Sequence, residues 1–188
     1  YQALLKMIEE DPCNRAAETK AEIDHLLARE SLFSRLVERQ TKDEIPERIT
    51  HNDTKLNNVM LDDETGNGVC VIDLDTVMPG LTLYDFGDMV RSATNPAPED
   101  STDPTLAQMQ MPMFKALARG YLESAGEFLN KAEIEELAFS GILITLEIGI
   151  RFLTDYLAGD IYFRTRRPGQ NLDRCRVHLN LAQSMENQ

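Results

Sequence analysis

Two short strand-like runs, N-V-M-L at positions 58–61 and G-V-C-V-I at 68–72, the second rich in β-branched residues, flank the polar segment D-D-E-T-G-N-G at 62–68. Strand-forming runs separated by strong turn chemistry predict an antiparallel hairpin. A fold about Thr65 sets Leu61 opposite Val69 and Asn58 opposite Ile72, which carries Asn58 beside Asp73. The chain must therefore mix a small β element with whatever the remaining residues form. The residues leading into and out of this hairpin are unusually polar: H-N-D-T-K-L-N-N at 51–58 and I-D-L-D at 72–75. Together they order a carboxylate, a lysine, a carboxamide and a second carboxylate.

That order suits phosphoryl transfer, which asks a protein for positioning and charge neutralisation and for little covalent chemistry. An Asp can accept the proton of an attacking hydroxyl, while an Asn and a second Asp offer hard oxygens to Mg²⁺. The pattern H-x-D-x-x-x-x-N followed by I-D-x-D resembles the catalytic and metal loops of the aminoglycoside phosphotransferase-like kinases. That group shares the protein-kinase-like fold and includes choline, homoserine and sugar kinases. H-N-D-T-K-L-N-N, with T-D-Y-L-A-G-D-I-Y-F-R at 154–164, is most similar to the N-acetylhexosamine 1-kinase branch. The resemblance implies Asp53 as catalytic base, Lys55 as the lysine approaching the transferred phosphate, and Asn58 and Asp73 as Mg²⁺ ligands. Asp75 stands as a secondary ligand or support. His51 is likewise a candidate secondary ligand or support, and reads more readily as a support that ties down the loop backbone. The bland alternative for the whole stretch is a polar turn ahead of a surface hairpin.

Composition narrows the partners. Acidic residues outnumber basic ones 32 to 19, a net charge of −13, so no basic stripe is present for nucleic acid. An acidic surface is compatible with a neutral or cationic small substrate, and is more commonly a solvated face. Cys13, Cys70 and Cys175 form neither a metal-type pair nor an even disulfide set, and the expected setting is a reducing cytoplasm. At 188 residues one core is the expectation, with 1–188 as a single domain. The first 50 residues contain no Gly, so no glycine-rich phosphate loop precedes His51. The expectation is a C-terminal catalytic lobe without its nucleotide lobe, inactive in isolation, with ATP as co-substrate once that lobe is present.

Elsewhere the periodicity predicts helices. Residues 1–10 read as a helix end, with Asp11-Pro12 as a stop and restart. Ile23, Leu26, Leu27, Phe33 and Val37 predict one long amphipathic helix over about 14–40. Met78-Pro79-Gly80 reads as a turn. Asp85 is a candidate cap for a short helix holding Asp88 and Arg91; similar kinases carry an element of this kind that braces the active site. Asp85 and Asp88 either brace that site or merely satisfy backbone donors and pair with Arg91, itself a candidate substrate contact. Residues 94–104 read as an exposed loop, a candidate substrate-side flap. Leu106, Met109, Met113, Leu117 and Tyr121 predict a helix kinked at Pro112. N-K-A-E at 130–133 has capping-box spacing and opens a core helix, whose apolar run at 137–150 is too short for a bilayer. On that helix Glu147, Arg151 and Asp155 recur every four residues, forming either a packed ionic ladder or the wall of a polar cleft. The resemblance favours the cleft, with Arg151 and Asp155 as substrate contacts. Arg164 to Arg167 read as a solvated basic loop, and 172–185 as a closing helix.

The expected fold is therefore α+β and mostly helical, the C-terminal lobe of a protein-kinase-like fold with a small β-hairpin at its catalytic loop. The expected function is ATP- and Mg²⁺-dependent phosphorylation of a sugar hydroxyl, an N-acetylhexosamine at its anomeric position. Alternatives are an aminoglycoside, choline or homoserine acceptor, or a non-catalytic kinase-like binding module. The expected partner is a small sugar or amino-sugar, with no nucleic acid and no membrane. Neither H-E-x-x-H, G-x-S-x-G nor a sulfatase-type C/S-x-P-x-R run occurs.

Overall fold

The computed structural model describes residues 1–188. The protein is a mostly helical α+β structure with two small two-stranded sheets. It divides into two compact units, Leu36–Thr94 with Gln110–Ile144, and Tyr1–Arg35 with Asn95–Met109 and Thr145–Gln188.

The first of these holds α4 (Arg35–Thr41, from Leu36), β1 (Arg48–Thr50), β2 (Val59–Leu61), β3 (Gly68–Val71), β4 (Met78–Gly80), α5 (Thr82–Ala93), α6 (Met111–Ala125) and the opening of α7 (Lys131–Ala158). The hairpin forms as expected, with Val59 opposite Val71 and Met60 opposite Cys70. Ile72 N–H donates to Asn58 O at 2.9 Å, which extends the ladder to the expected Asn58–Ile72 pair. Beyond Met60 a bulge shifts Leu61 onto Gly68 instead of Val69. The Asp62 carboxylate there holds the N–H of Thr65 at 2.8 Å, tightening the turn.

Residues 78–80 are not a turn but a strand, pairing antiparallel with β1 so that Ile49 faces Pro79. Pro lacks an amide hydrogen, and a two-stranded ribbon leaves an edge where that is tolerated. Thr50 Oγ donates to Met78 O at 3.0 Å, and a Cβ on Gly80 would sit 2.6 Å from that same hydroxyl. Helix α5 runs longer than expected and begins at Thr82, three residues before Asp85. It crosses the start of α7 closely: a Cβ on Gly87 would lie 2.4 Å from Ser140 O, and one on Gly141 would lie 2.8 Å from a Val90 methyl. Pro112 opens α6 within its first turn and does not kink it. Its missing N–H is one that a first turn leaves unbonded anyway, so Leu106 and Met109 fall outside the helix. Phe86, fully buried, meets the rings of Phe114 and Tyr121.

Asn130 and Glu133 form the expected capping box, each side chain accepting from the other's backbone N–H at 2.9 and 2.8 Å. Glu133, wholly buried, also takes Arg48 and the Thr82 hydroxyl. Helix α7 spans 28 residues, longer than its apolar run. By length and composition it could cross a bilayer, but more than half of that stretch is buried inside the protein. Its buried face also carries Glu133, Glu136, Ser140, Thr145 and Asp155.

The second unit holds α1 (Gln2–Glu10), α2 (Lys20–Leu27), α3 (Glu30–Phe33), the remainder of α7 and α8 (Gln170–Glu186). The single helix expected over 14–40 is broken into α2, α3 and α4. Each break resets the helical phase, so Leu36 is buried and Val37 is 51% exposed. Asp11 ends α1 in a left-handed conformation, and its carboxylate receives the N–H groups of Arg15 and Ala16. The restart is delayed to Lys20. In this unit α2 packs on α8, and Arg29 ties α2's end to Glu186 at 2.7 Å.

Candidate active site

The loop from His51 to Asn58 has no regular structure until a short 3₁₀ turn at Leu56–Asn58, so other groups must hold its backbone polar atoms. Asp85 does most of this. Its two carboxylate oxygens accept from the N–H groups of His51 and Asn52 at 2.8 and 2.7 Å, and its carbonyl accepts the Thr54 hydroxyl at 2.6 Å. Asp85 is therefore no helix cap: it lies in the first turn of α5 and clamps the loop. Seven residues on, along the same helix face, Ser92 Oγ accepts the N–H of Leu56. Asn52 adopts φ +63°, a conformation Asn tolerates better than most residues. Its amide donates to Thr76 O, while Thr76 Oγ donates to His51 O at 2.6 Å.

His51 joins the two halves of the motif. Its Nδ1 accepts from Asp53 N–H at 3.3 Å and its Nε2 lies 3.1 Å from Ile72 O. Those partners assign the neutral tautomer with the proton on Nε2. Neither nitrogen is left for an ion, so His51 supports the loop, and the secondary-ligand reading does not fit it.

Within this brace Asp53 Oδ2 accepts both Lys55 Nζ, at 2.7 Å, and Asn58 Nδ2, at 2.8 Å. Burial alone would raise the Asp53 pKa. The hydrogen bonds from Lys55 and Asn58, with the nearby positive charge, outweigh it and hold the carboxyl below its ordinary value. Asp53 is accordingly ionised at neutral pH, with its side chain 27% exposed.

Asn58 is buried, and its amide nitrogen also donates to Asp53 O at 2.8 Å. With the nitrogen turned to Asp53, the side-chain oxygen of Asn58 is left to accept from or ligate something else. The Asn58–Ile72 backbone bond brings Asp73 to the adjoining position, where it adopts φ +65° and is exposed. Asp75 follows, exposed, in a 3₁₀ turn at Leu74–Thr76. No cluster of three or more His, Cys, Asp or Glu side chains is assembled here. On α5, Asp88 and Arg91 pair at 2.7 Å, both nearly buried.

The remaining candidates belong to the other unit. The stripe on α7 is not continuous: Glu147 and Arg151 pair loosely at 3.9 Å, and Asp155 turns away from them. Asp155 is buried and its oxygens accept the N–H groups of Ile161, Tyr162 and Phe163 and the amide of Asn171, at 2.8 to 3.0 Å. All four acceptor positions are filled by the protein, so Asp155 organises a loop and leaves nothing for a substrate. Arg151 remains exposed beside the rings of Tyr162 and Phe163.

Sequence reasoning missed Asn52, Thr76 and Ser92. The signal for Ser92 was its spacing of seven from Asp85, two turns along one helix face.

The site so built presents an ionised carboxylate, gripped by an ammonium and a carboxamide on a loop held from both sides. A family model described as the phosphotransferase enzyme family matches residues 3–131. The chain belongs to this kinase-type enzyme family.

Proposed function

We propose that this chain is the catalytic lobe of an ATP- and Mg²⁺-dependent small-molecule kinase that phosphorylates a sugar hydroxyl, an N-acetylhexosamine at its anomeric position. The observation that carries the reading is Asp53 held ionised between Lys55 and Asn58. In this reading Asp53 orients the acceptor hydroxyl and receives its proton, and Lys55 moves from Asp53 toward the transferred phosphoryl group as charge develops. Kinases of this family generally use ATP and Mg²⁺.

The donor set fits a hard cation. Asn58 has turned its nitrogen inward and kept its oxygen free of the loop, and Asp73 is an exposed carboxylate at the adjoining ladder position. Two protein oxygens suffice for Mg²⁺, which draws its other ligands from phosphate and water. Bound there, the ion would neutralise phosphate charge. Asp75 is proposed as its outer support. On the acceptor side, Arg91 is proposed from its place on α5. Arg151 is proposed on local chemistry alone, an exposed guanidinium beside two aromatic rings.

The test is acceptor-dependent nucleotide consumption by the intact protein across free hexosamines, N-acetylhexosamines, an aminoglycoside, choline and homoserine. Asp53→Asn should lower turnover about 10²–10⁴-fold with the fold intact by circular dichroism. Near-normal turnover in that variant would remove Asp53 from its role. Preference for a cationic acceptor would replace the sugar with an aminoglycoside or choline.

A further inference from the structure

Asp88 carries an anomaly that the bracing of the loop does not use. Both Nε and Nη2 of Arg91 converge on a single oxygen of Asp88, Oδ1, at 2.9 and 2.7 Å. An Arg–carboxylate pair ordinarily shares two parallel bonds between both oxygens. Here Oδ2 is buried without any hydrogen-bond partner in the protein, on a residue only 8% exposed. A buried carboxylate oxygen left without a donor carries a desolvation cost that native proteins rarely retain without a reason. The position of Asp88 supplies one. On α5 it lies between Asp85, which holds the N–H groups of His51 and Asn52, and Ser92, which holds that of Leu56. Residues at i, i+3 and i+7 share a helix face, so Asp88 stands on the face turned to the loop that carries Asp53 and Lys55.

Resting on the phosphotransfer reading above, we propose that Asp88 is a specificity-determining residue of this site, its Oδ2 accepting a hydrogen bond from the acceptor molecule. Arg91 fixes the carboxylate and supplies its counter-charge, so the fitting donor is neutral, a hydroxyl or an amide N–H next to the phosphorylated position. A substrate cation would bring a further charge into a buried pair. The geometry therefore favours a polyhydroxyl acceptor and gives Asp88 the role of reading one of its groups.

The experiment uses the intact protein and the acceptor with the highest turnover in the panel, together with its analogues each lacking one hydroxyl or the acetamido group. Asp88→Asn places an N–H donor where the free oxygen was. The expected result is an acceptor KM raised at least tenfold, with the nucleotide KM unchanged and kcat within a few-fold. In the wild type one deoxy analogue should lose a similar factor in kcat/KM, and in Asp88→Asn that loss should vanish, since two changes to one contact are not additive. If Asp88→Asn lowers stability because the pair with Arg91 is weakened, the same KM values measured well below the melting temperature of that variant give the same readout. An unchanged acceptor KM with a lowered Tm would show that Oδ2 meets only a trapped water, overturning the proposal. A protein in which Asp53→Asn abolishes turnover while Asp88→Asn alters nothing keeps the phosphotransfer reading and loses this one. A wild type inactive on the whole panel loses both.

Discussion

Single carboxylates in this chain do quite different work, and hydrogen-bond arithmetic separates them. Asp53 takes two donors on one oxygen and keeps reactive capacity. Asp155, another acidic residue in a motif-like run, takes four and keeps none. Removing the Asp155 side chain should strand three backbone N–H groups. Asp155→Ala is therefore expected to cost about 2–4 kcal/mol in urea denaturation while leaving the acceptor KM of the folded fraction unchanged. A large KM effect with unaltered stability would return Asp155 to the substrate contacts. The sequence showed Asp155 at the right helical spacing from Arg151, but spacing places Cβ atoms on a face and does not say where a carboxylate turns.

At the scale of elements, the site depends on α5 lying close to the catalytic loop on one side and α7 on the other. Gly87 sets the second distance. A Cβ there would stand 2.4 Å from a backbone oxygen of α7 and 2.6 Å from Ile144, and backbone cannot move aside as a flexible side chain can. Gly87→Ala should destabilise the protein by about 1–3 kcal/mol and, by shifting Asp85, also lower turnover. A midpoint shift of zero in chemical denaturation would show that the crossing is looser than these distances imply. The hairpin register was readable in advance because its alternation and turn chemistry are local. The second ribbon was not. Met-Pro-Gly carries no strand propensity, and residues 78–80 are extended because β1 pairs with them. Similarly, the periodicity over 14–40 was helical throughout, and the breaks at Ala28 and Ser34 left no composition signal strong enough to read.

For the molecule as a whole, its buried ionisable groups set the pH range of stability. For Glu133, burial raises the pKa, but Arg48, the Asn130 N–H and Thr82 more than reverse this and leave it lowered; Asp53 is lowered likewise. A lowered folded pKa means stabilisation that is fully present above the unfolded value, 4.5 for Glu133 and 3.8 for Asp53. It is lost as pH falls through the folded values. Tyr121 and Tyr156 are both pushed up to about 12, chiefly by burial. Their contribution is present below the unfolded value of 10.0 and is lost as pH rises through about 12. Thermal melts should accordingly show a plateau between about pH 5 and 9.5, with losses on both sides. A Tm still rising below pH 4 would contradict the Glu133 and Asp53 assignments.

By itself the sequence determined the hairpin, its register from Asn58 to Ile72, the capping box at Asn130 and Glu133, and the order of Asp53, Lys55, Asn58 and Asp73. Each of these is written in neighbouring residues, whose turn chemistry and strand alternation act within a few positions of the chain. Only the tertiary structure decided that Asp85 clamps the loop, that His51 is spent on Asp53 and Ile72, that Asp155 closes its own loop, and that one oxygen of Asp88 is left bare. Those outcomes depend on which donors arrive from segments distant in sequence, and a carboxylate's role follows from the donors that reach it.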